Sequence, residues 1–510
     1  MTRRRGGLSL LRRPGSALLL VLLLLAGGLA AATATQPSAS APGPVAPAAP
    51  AVQVPVARAS AACPDPVVAE GTVTRVALAA PGPLTGEAGG ADATGGPGRA
   101  TLEPATSGSS PVVRLLAPGS ATEEAAAEDG PLLARATGRS APGLAASQLT
   151  RSSQVAMRGL AGTTCAASGT DFWFVGSGAV VGQRGRVYLT NSEPAPAVVD
   201  VTLYGPDGPI DAPDGRGVTV AAGKQQVRLL DALAPGTERF AVHVHARQGR
   251  ISAAVRDQQV DGLTPLGADW VPVATPPASR VLVPGVPGGT GERRLQVVAP
   301  GDADGIVRVR LVSESGAFAP AGLDVIEVRA GSVNDVDLAP YTDGEPVTVE
   351  LESDVPVTAG VLTRATGTDG QLAEIAYSAA SDPLTPQTPG VVAEVRQGEN
   401  LTSTLLLTAP AGPAVVELTP LPPVGGDPTE VRVSAGSQVA VALDSVSSAE
   451  IFSLAVVPAP GSGPVLAVRQ VDEVTTDGPL LTSSPVPPGR YAVAVPRVVA
   501  DLSTGLRAGR

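Results

Sequence analysis

"VTVAAGKQQVRLL" (218–230), "IEVRAGSVNDVDL" (326–338) and "VRVSAGSQVAVAL" (431–443) are three versions of one pattern, and their reading decides the fold. Each sets apolar residues on alternate positions, breaks at Ala-Gly, adds a polar residue and starts a second apolar run. The shared glycines, Gly223, Gly331 and Gly436, stand 108 and 105 residues apart. Alternation with period two is the signature of a strand with one buried face. The glycine marks a hairpin or a sheet-crossing turn, because glycine adopts positive φ without steric cost.

Working outward, each copy is preceded by an alternating strand: "AVVDVTLYGPDG" (197–208), "GIVRVRLVSESG" (305–316) and "AVVELTPLPP" (414–423). Each is followed by another: "RFAVHVHA" (239–246), "PVTVELES" (346–353) and "FSLAVVPA" (452–459). A period of about a hundred residues holding six or seven short strands suits an immunoglobulin-like sandwich. The expected fold is therefore all-β, with three tandem sandwiches over 63–280, 281–390 and 391–510. Composition agrees. Gly (60) and Pro (51) exceed a fifth of the 510 residues and interrupt helices, while 43% of the chain is hydrophobic.

Upstream of the repeats the chain reads differently. Residues 1–34 carry a basic start, "MTRRRGGLSLLRRPG", an apolar run, "SALLLVLLLLAGGLAAA", and the small-residue site Ala32-Thr33-Ala34. That is a signal peptide or, uncut, a signal anchor that leaves the rest of the chain outside the cytoplasm. Residues 35–62, rich in Ala and Pro, read as an extended linker. Residues from about 79 to 147 read as a low-complexity insertion in the first sandwich.

The expected location is extracytoplasmic, either secreted or held at the membrane by the N-terminal segment alone. Two cysteines in an oxidising compartment predict one disulfide, Cys63–Cys165. The formal net charge is −11, and −16 once the five leader arginines are removed, a balance that repels phosphate backbones and excludes nucleic acid as a partner.

Aromatic residues make up only 2% of the chain, yet Phe172-Trp173-Phe174 stand together. On a strand the two phenylalanines share a face opposite the tryptophan. The expectation is a packed core for this cluster. The alternative makes Trp173 or Trp270 a ligand platform on which a sugar ring stacks.

Catalytic chemistry finds little footing. "GSGAVVGQRGRVYLTNSEP" (176–194) resembles the opening of a trypsin-like protease, but Asn191 is followed by Ser192-Glu193-Pro194, with no histidine base to activate a serine. The two histidines, His243 and His245, lie on one face of a strand, opposite Val242 and Val244. A catalytic zinc needs a third protein ligand, and no second histidine cluster follows. Asp257 with Asp261, or Asp269 beside Trp270, are the carboxylates a glycosidase would need. With no fold that implies a cleft, they are read as structural. No catalytic residue, cofactor or metal is expected.

Several motifs point to a family. "ACPDP" (62–66), "TTCAASGTDFWFVG" (163–176), "LTN" (189–191), "LYGPDG" (203–208) and "GADWVP" (267–272) resemble an actinobacterial secreted family known only as domain of unknown function 5719. The resemblance implies export and gives the two cysteines, residues 171–174 and Asp269-Trp270 a place in defining the first sandwich. It implies no activity. The expected role is a non-enzymatic, structural or accessory cell-envelope protein whose partners are cell-wall glycan or envelope proteins. The alternative is a carbohydrate-binding module.

Overall fold

The computed structural model describes residues 51–67, 69–84, 98–105, 109–125, 130–154, 157–367 and 370–495. The expected leader and most of the linker lie outside the described residues. Among the described residues no helix is long and apolar enough to cross a membrane. Gln53–Val493 form one compact unit, and the second unit, Met1–Val52 with Ala494–Arg510, lies almost wholly outside the described residues.

The compact unit is all-β. Its strands group into four pairs of sheets rather than three, each pair enclosing one hydrophobic core. The stretch 63–280, expected to be one sandwich, holds two of them.

The first pair is built largely from the residues read as linker and insertion. Arg58–Cys63, Leu132–Thr137, Arg99–Pro104 and Val113–Leu115 make one sheet, and Gly119–Glu124, Thr72–Ala80, Ala145–Ser152 and Gly159–Thr164 the other. Half of the sixteen residues in its core are alanine. Alanine buries so little apolar area that its alternation with Thr, Ser and Arg gives weak contrast, which is why these strands look like low complexity. The Cys63–Cys165 disulfide joins the start of this pair to its end.

The second pair runs from Asp171 to Val271 and the fourth from Gly390 to Pro485, each with clearly separate sheets. In the third, the 19-residue strand Val347–Ala365 passes through both layers. Its first half pairs with Ala278–Val286 and Gly305–Ser313, and its second half with Gly291–Val298 and Glu374–Ala379. The Ala-Gly turns resolve as sheet crossings. The strands on either side of Gly223, Gly331 and Gly436 pair in opposite sheets, and the three glycines have φ of 66°, 66° and 69°. The first pair makes the same crossing between Val113–Leu115 and Gly119–Glu124.

The pairs are not independent beads. One edge strand of each meets the next in a closed circuit: Gly159–Thr164 packs on Thr264–Val271, that strand on Glu374–Ala379, that on Gly478–Pro485, and the last returns to Gly159–Thr164. Small residues permit this approach. A side chain on Gly267 (φ 123°) would put its Cβ 2.3 Å from Glu374 Oε1 and 2.4 Å from the Ile375 nitrogen.

Candidate functional site

Among the described residues two clusters bear on function, one buried at the circuit and one on the surface of the second pair.

At the buried site, Asp257 and Asp269 face each other across adjacent strands. Asp269 Oδ1 accepts from the Gly162 N–H at 3.1 Å and from Thr482 Oγ1 at 3.0 Å, and Oδ2 accepts from the Tyr377 N–H at 3.3 Å. One carboxylate of the second pair thus holds donors from the first, fourth and third. Asp257 Oδ2 accepts from Tyr377 Oη at 2.5 Å and from Gln183 and Gln259 at 2.9 Å. Glu374 Oε1 accepts from the Ala268 and Ile375 N–H groups. The Arg158 guanidinium donates to the carbonyls of Ala373, Gly478 and Pro479. Burial pushes the Asp269 and Glu374 carboxyls well above the usual carboxylate range, and Asp257 above it. Tyr377 rises too, through burial first and the adjacent Asp257 second.

The carboxylates read from sequence as a glycosidase option are therefore distributed otherwise. Asp261 is exposed at a turn, while Asp257 and Asp269 are spent on hydrogen bonds between sheet pairs. The register that brings Asp257 and Asp269 opposite each other depends on an irregularity between Gln259 and Val260 that shifts it by one residue, so only the tight hairpin at Gly262 could be anticipated. Their partners 100 to 200 residues away could not.

Both tryptophans offered as the alternative platform are buried. Trp270 is 1% exposed and packs with Tyr188 and Ala161 at the junction of the first and second pairs, with the Arg256 guanidinium 6.0 Å from its ring centre. Trp173 is 4% exposed. Phe172 and Phe174 enter the core of the second pair, while Trp173, on the opposite face, joins the core of the third. The three aromatics pack as a core, and neither indole offers a flat open face for a sugar.

The surface site follows from the same strand. Asp171–Ser177 pairs with Phe240–Gln248, setting Asp171 opposite His245 and Trp173 opposite His243. On the other side Ala197–Gly205 sets Asp200 opposite His245 and Thr202 opposite His243. Residues directly opposite share a face, so Asp171, His245 and Asp200 form one row across three strands. The third sheet pair covers only part of this face. Along one side of Phe240–Gln248, Ala241 is fully buried, the His243 side chain is 19% exposed and that of His245 is 50% exposed.

His243 Nε2 lies 2.9 Å and His245 Nδ1 3.5 Å from the same atom, Asp171 Oδ2. Trp173 Nε1 donates to the other oxygen, Asp171 Oδ1, at 3.1 Å. The indole also stacks on the His243 ring, with centroids 4.1 Å apart and planes 10° from parallel, and Tyr204 flanks it at 5.6 Å. Asp200 accepts from the Gly217 N–H at 2.8 Å and from Arg247. Burial pushes the Asp200 carboxyl up, but these two donors outweigh it and hold it below the usual range. The third potential ligand that the histidines lacked in sequence is the Asp171 carboxylate, 72 residues from His243 and brought beside it by strand pairing.

Two solved structures show distant likeness. Thermotoga maritima 1070 is 16% identical over 20% of this chain and 93% of its own, with a TM-score of 0.18. The Streptomyces avermitilis alpha-L-rhamnosidase complexed with L-rhamnose is 9% identical over 85% of this chain and 55% of its own, with a TM-score of 0.12. No curated protein matches the chain. Residues 118–445, from the first sheet pair into the fourth, match the family of unknown function DUF5719, and the chain belongs to that family.

Proposed function

We propose that this chain is an exported cell-envelope protein with a non-enzymatic structural or accessory role, presenting surfaces to envelope proteins or cell-wall glycan from one stiff body. We read each sheet pair as an immunoglobulin-like sandwich, four in all, the first of them stapled by the disulfide. The observation that carries the reading is the Asp269 carboxylate, which takes hydrogen bonds from all three other sheet pairs. A buried polar group satisfied this way resists separation, since parting the pairs strands donors and acceptors away from water. A body locked at its centre suits a spacer or docking scaffold better than a string of hinged domains. Export draws support from the leader-like residues 1–34 and from the disulfide, which persists in oxidising compartments. A crevice between the first and fourth pairs, lined by Ser147, Thr164, Arg469 and Ser484, measures about 20 Å³, room for a single water.

The glycan-binding alternative loses its proposed indoles, because Trp173 and Trp270 are buried. Cell fractionation with N-terminal sequencing, followed by crosslinking on intact cells, tests the reading. The expected result is an extracytoplasmic chain crosslinked to envelope components. A cytosolic chain with both thiols reduced overturns it.

A further inference from the structure

We infer that Asp171, His243 and His245 form a binding site for one divalent first-row transition metal ion, with a coordination position open to solvent. The inference is independent of the structural role proposed above.

The donor set selects the class of ion. Two imidazoles and one carboxylate suit zinc and its neighbours, whereas calcium and magnesium take oxygen ligands. Geometry agrees. The three ligand atoms all lie within 4.8 Å of one another. Tetrahedral bonds of about 2.0–2.2 Å place ligand atoms about 3.3–3.6 Å apart. Of the separations from Asp171 Oδ2, the 3.5 Å to His245 falls within that range and the 2.9 Å to His243 lies below it, so an ion held between them needs only a slight parting of the carboxylate from the His243 ring.

The surroundings orient the ligands as metal sites require. Trp173 is nearly buried in the core of the third pair and fixes two of them at once, holding Asp171 Oδ1 through its N–H and the plane of the His243 ring through stacking. Trp173 is thus a positioning residue. Three protein ligands leave a fourth position, and the exposure of Asp171 and His245 turns it outward, where water or a donor group from a partner completes the sphere.

The chain contains only two histidines, which makes the test clean. The untagged full chain is titrated with Zn²⁺ by calorimetry and with Co²⁺ by visible absorption, while imidazole ¹H–¹⁵N resonances are followed by NMR. The expected result is one ion per chain, Co²⁺ bands of a four-coordinate site, and displacement of both imidazole signals. His245→Ala, at an exposed position, is expected to keep its melting temperature and weaken Zn²⁺ binding more than about 100-fold. Trp173→Phe is expected to weaken binding about 10–100-fold. If neither imidazole responds to Zn²⁺, or if a folded H245A chain binds as tightly as the natural one, the site does not exist. Should W173F prove unstable, the H245A comparison decides alone.

Discussion

Asp269 Oδ1 and Thr482 Oγ1 are hydrogen-bonded at 3.0 Å although 213 residues separate them. The bond joins the second sheet pair to the fourth, and the same oxygen accepts from Gly162 of the first. The carboxylate sits where four edge strands converge, so it reports on whether the whole circuit is assembled.

Asp269→Ala leaves the Tyr377 N–H and the Thr482 hydroxyl without their acceptor, and leaves the Gly162 N–H with Thr482 Oγ1 alone. At about 1–3 kcal/mol for each stranded buried group, partly relieved by entering water, the expected loss is about 2–5 kcal/mol. Thr482→Val removes one donor and keeps the shape, for about 1 kcal/mol. Urea denaturation midpoints measure both. Equal, small losses in the two variants would show that the carboxylate does not join the pairs.

Gly267→Ala combines two penalties: a positive φ that L side chains rarely adopt, and a Cβ 2.3 Å from Glu374 Oε1. Either the backbone or the neighbouring strand must shift, and a loss above about 3 kcal/mol is expected. Gly262→Ala is a useful control, because that glycine has positive φ (57°) and no atom near its absent side chain. Its cost should stay near 1 kcal/mol. Thermal melts of the two variants separate crowding from backbone strain.

Stability should fall as pH rises above the ordinary carboxylate range. Asp269 and Glu374 have raised values when folded, so between the unfolded and folded values the native state holds more protons than the unfolded one. The derivative of unfolding free energy with pH is then negative, and stability is lost as pH climbs through that window. D269N, which cannot ionise, should show a flatter dependence from pH 5 to 8 than the natural chain. Other groups titrate too, so the difference between the two curves is the quantity to measure. Parallel curves would contradict the assignment.

Reduction of Cys63–Cys165 should destabilise the first pair most. The bridge closes a separation of 102 residues, for which chain entropy gives about 4–5 kcal/mol as an upper figure. The alanine-rich core around it has little other means of compensation. Hydrogen exchange on a Cys63→Ser, Cys165→Ser chain should show protection lost first in strands between Arg58 and Thr164. Loss beginning in the fourth pair would mean that the circuit, not the disulfide, limits stability.

The all-β class, the roughly hundred-residue period, the glycine turns and the Cys63–Cys165 bridge were legible in the sequence, because each is local or a matter of counting; that the turns cross between sheets was not. Alternation over a few residues sets which face is buried, a positive-φ glycine marks a turn, and two cysteines allow one intramolecular pair. The first sheet pair was not legible, since strands such as "RATLEP" and "LLARAT" bury alanine, and small side chains leave no periodic contrast. The opposite faces of Phe172 and Trp173 followed from strand geometry, but what covers Trp173 did not. Only the tertiary structure decided that Asp171 completes the pair His243 and His245, and that Asp269 reaches Gly162, Tyr377 and Thr482. Strand register and the packing of one sheet pair on another are set by contacts between residues distant in the chain, and no local pattern records them.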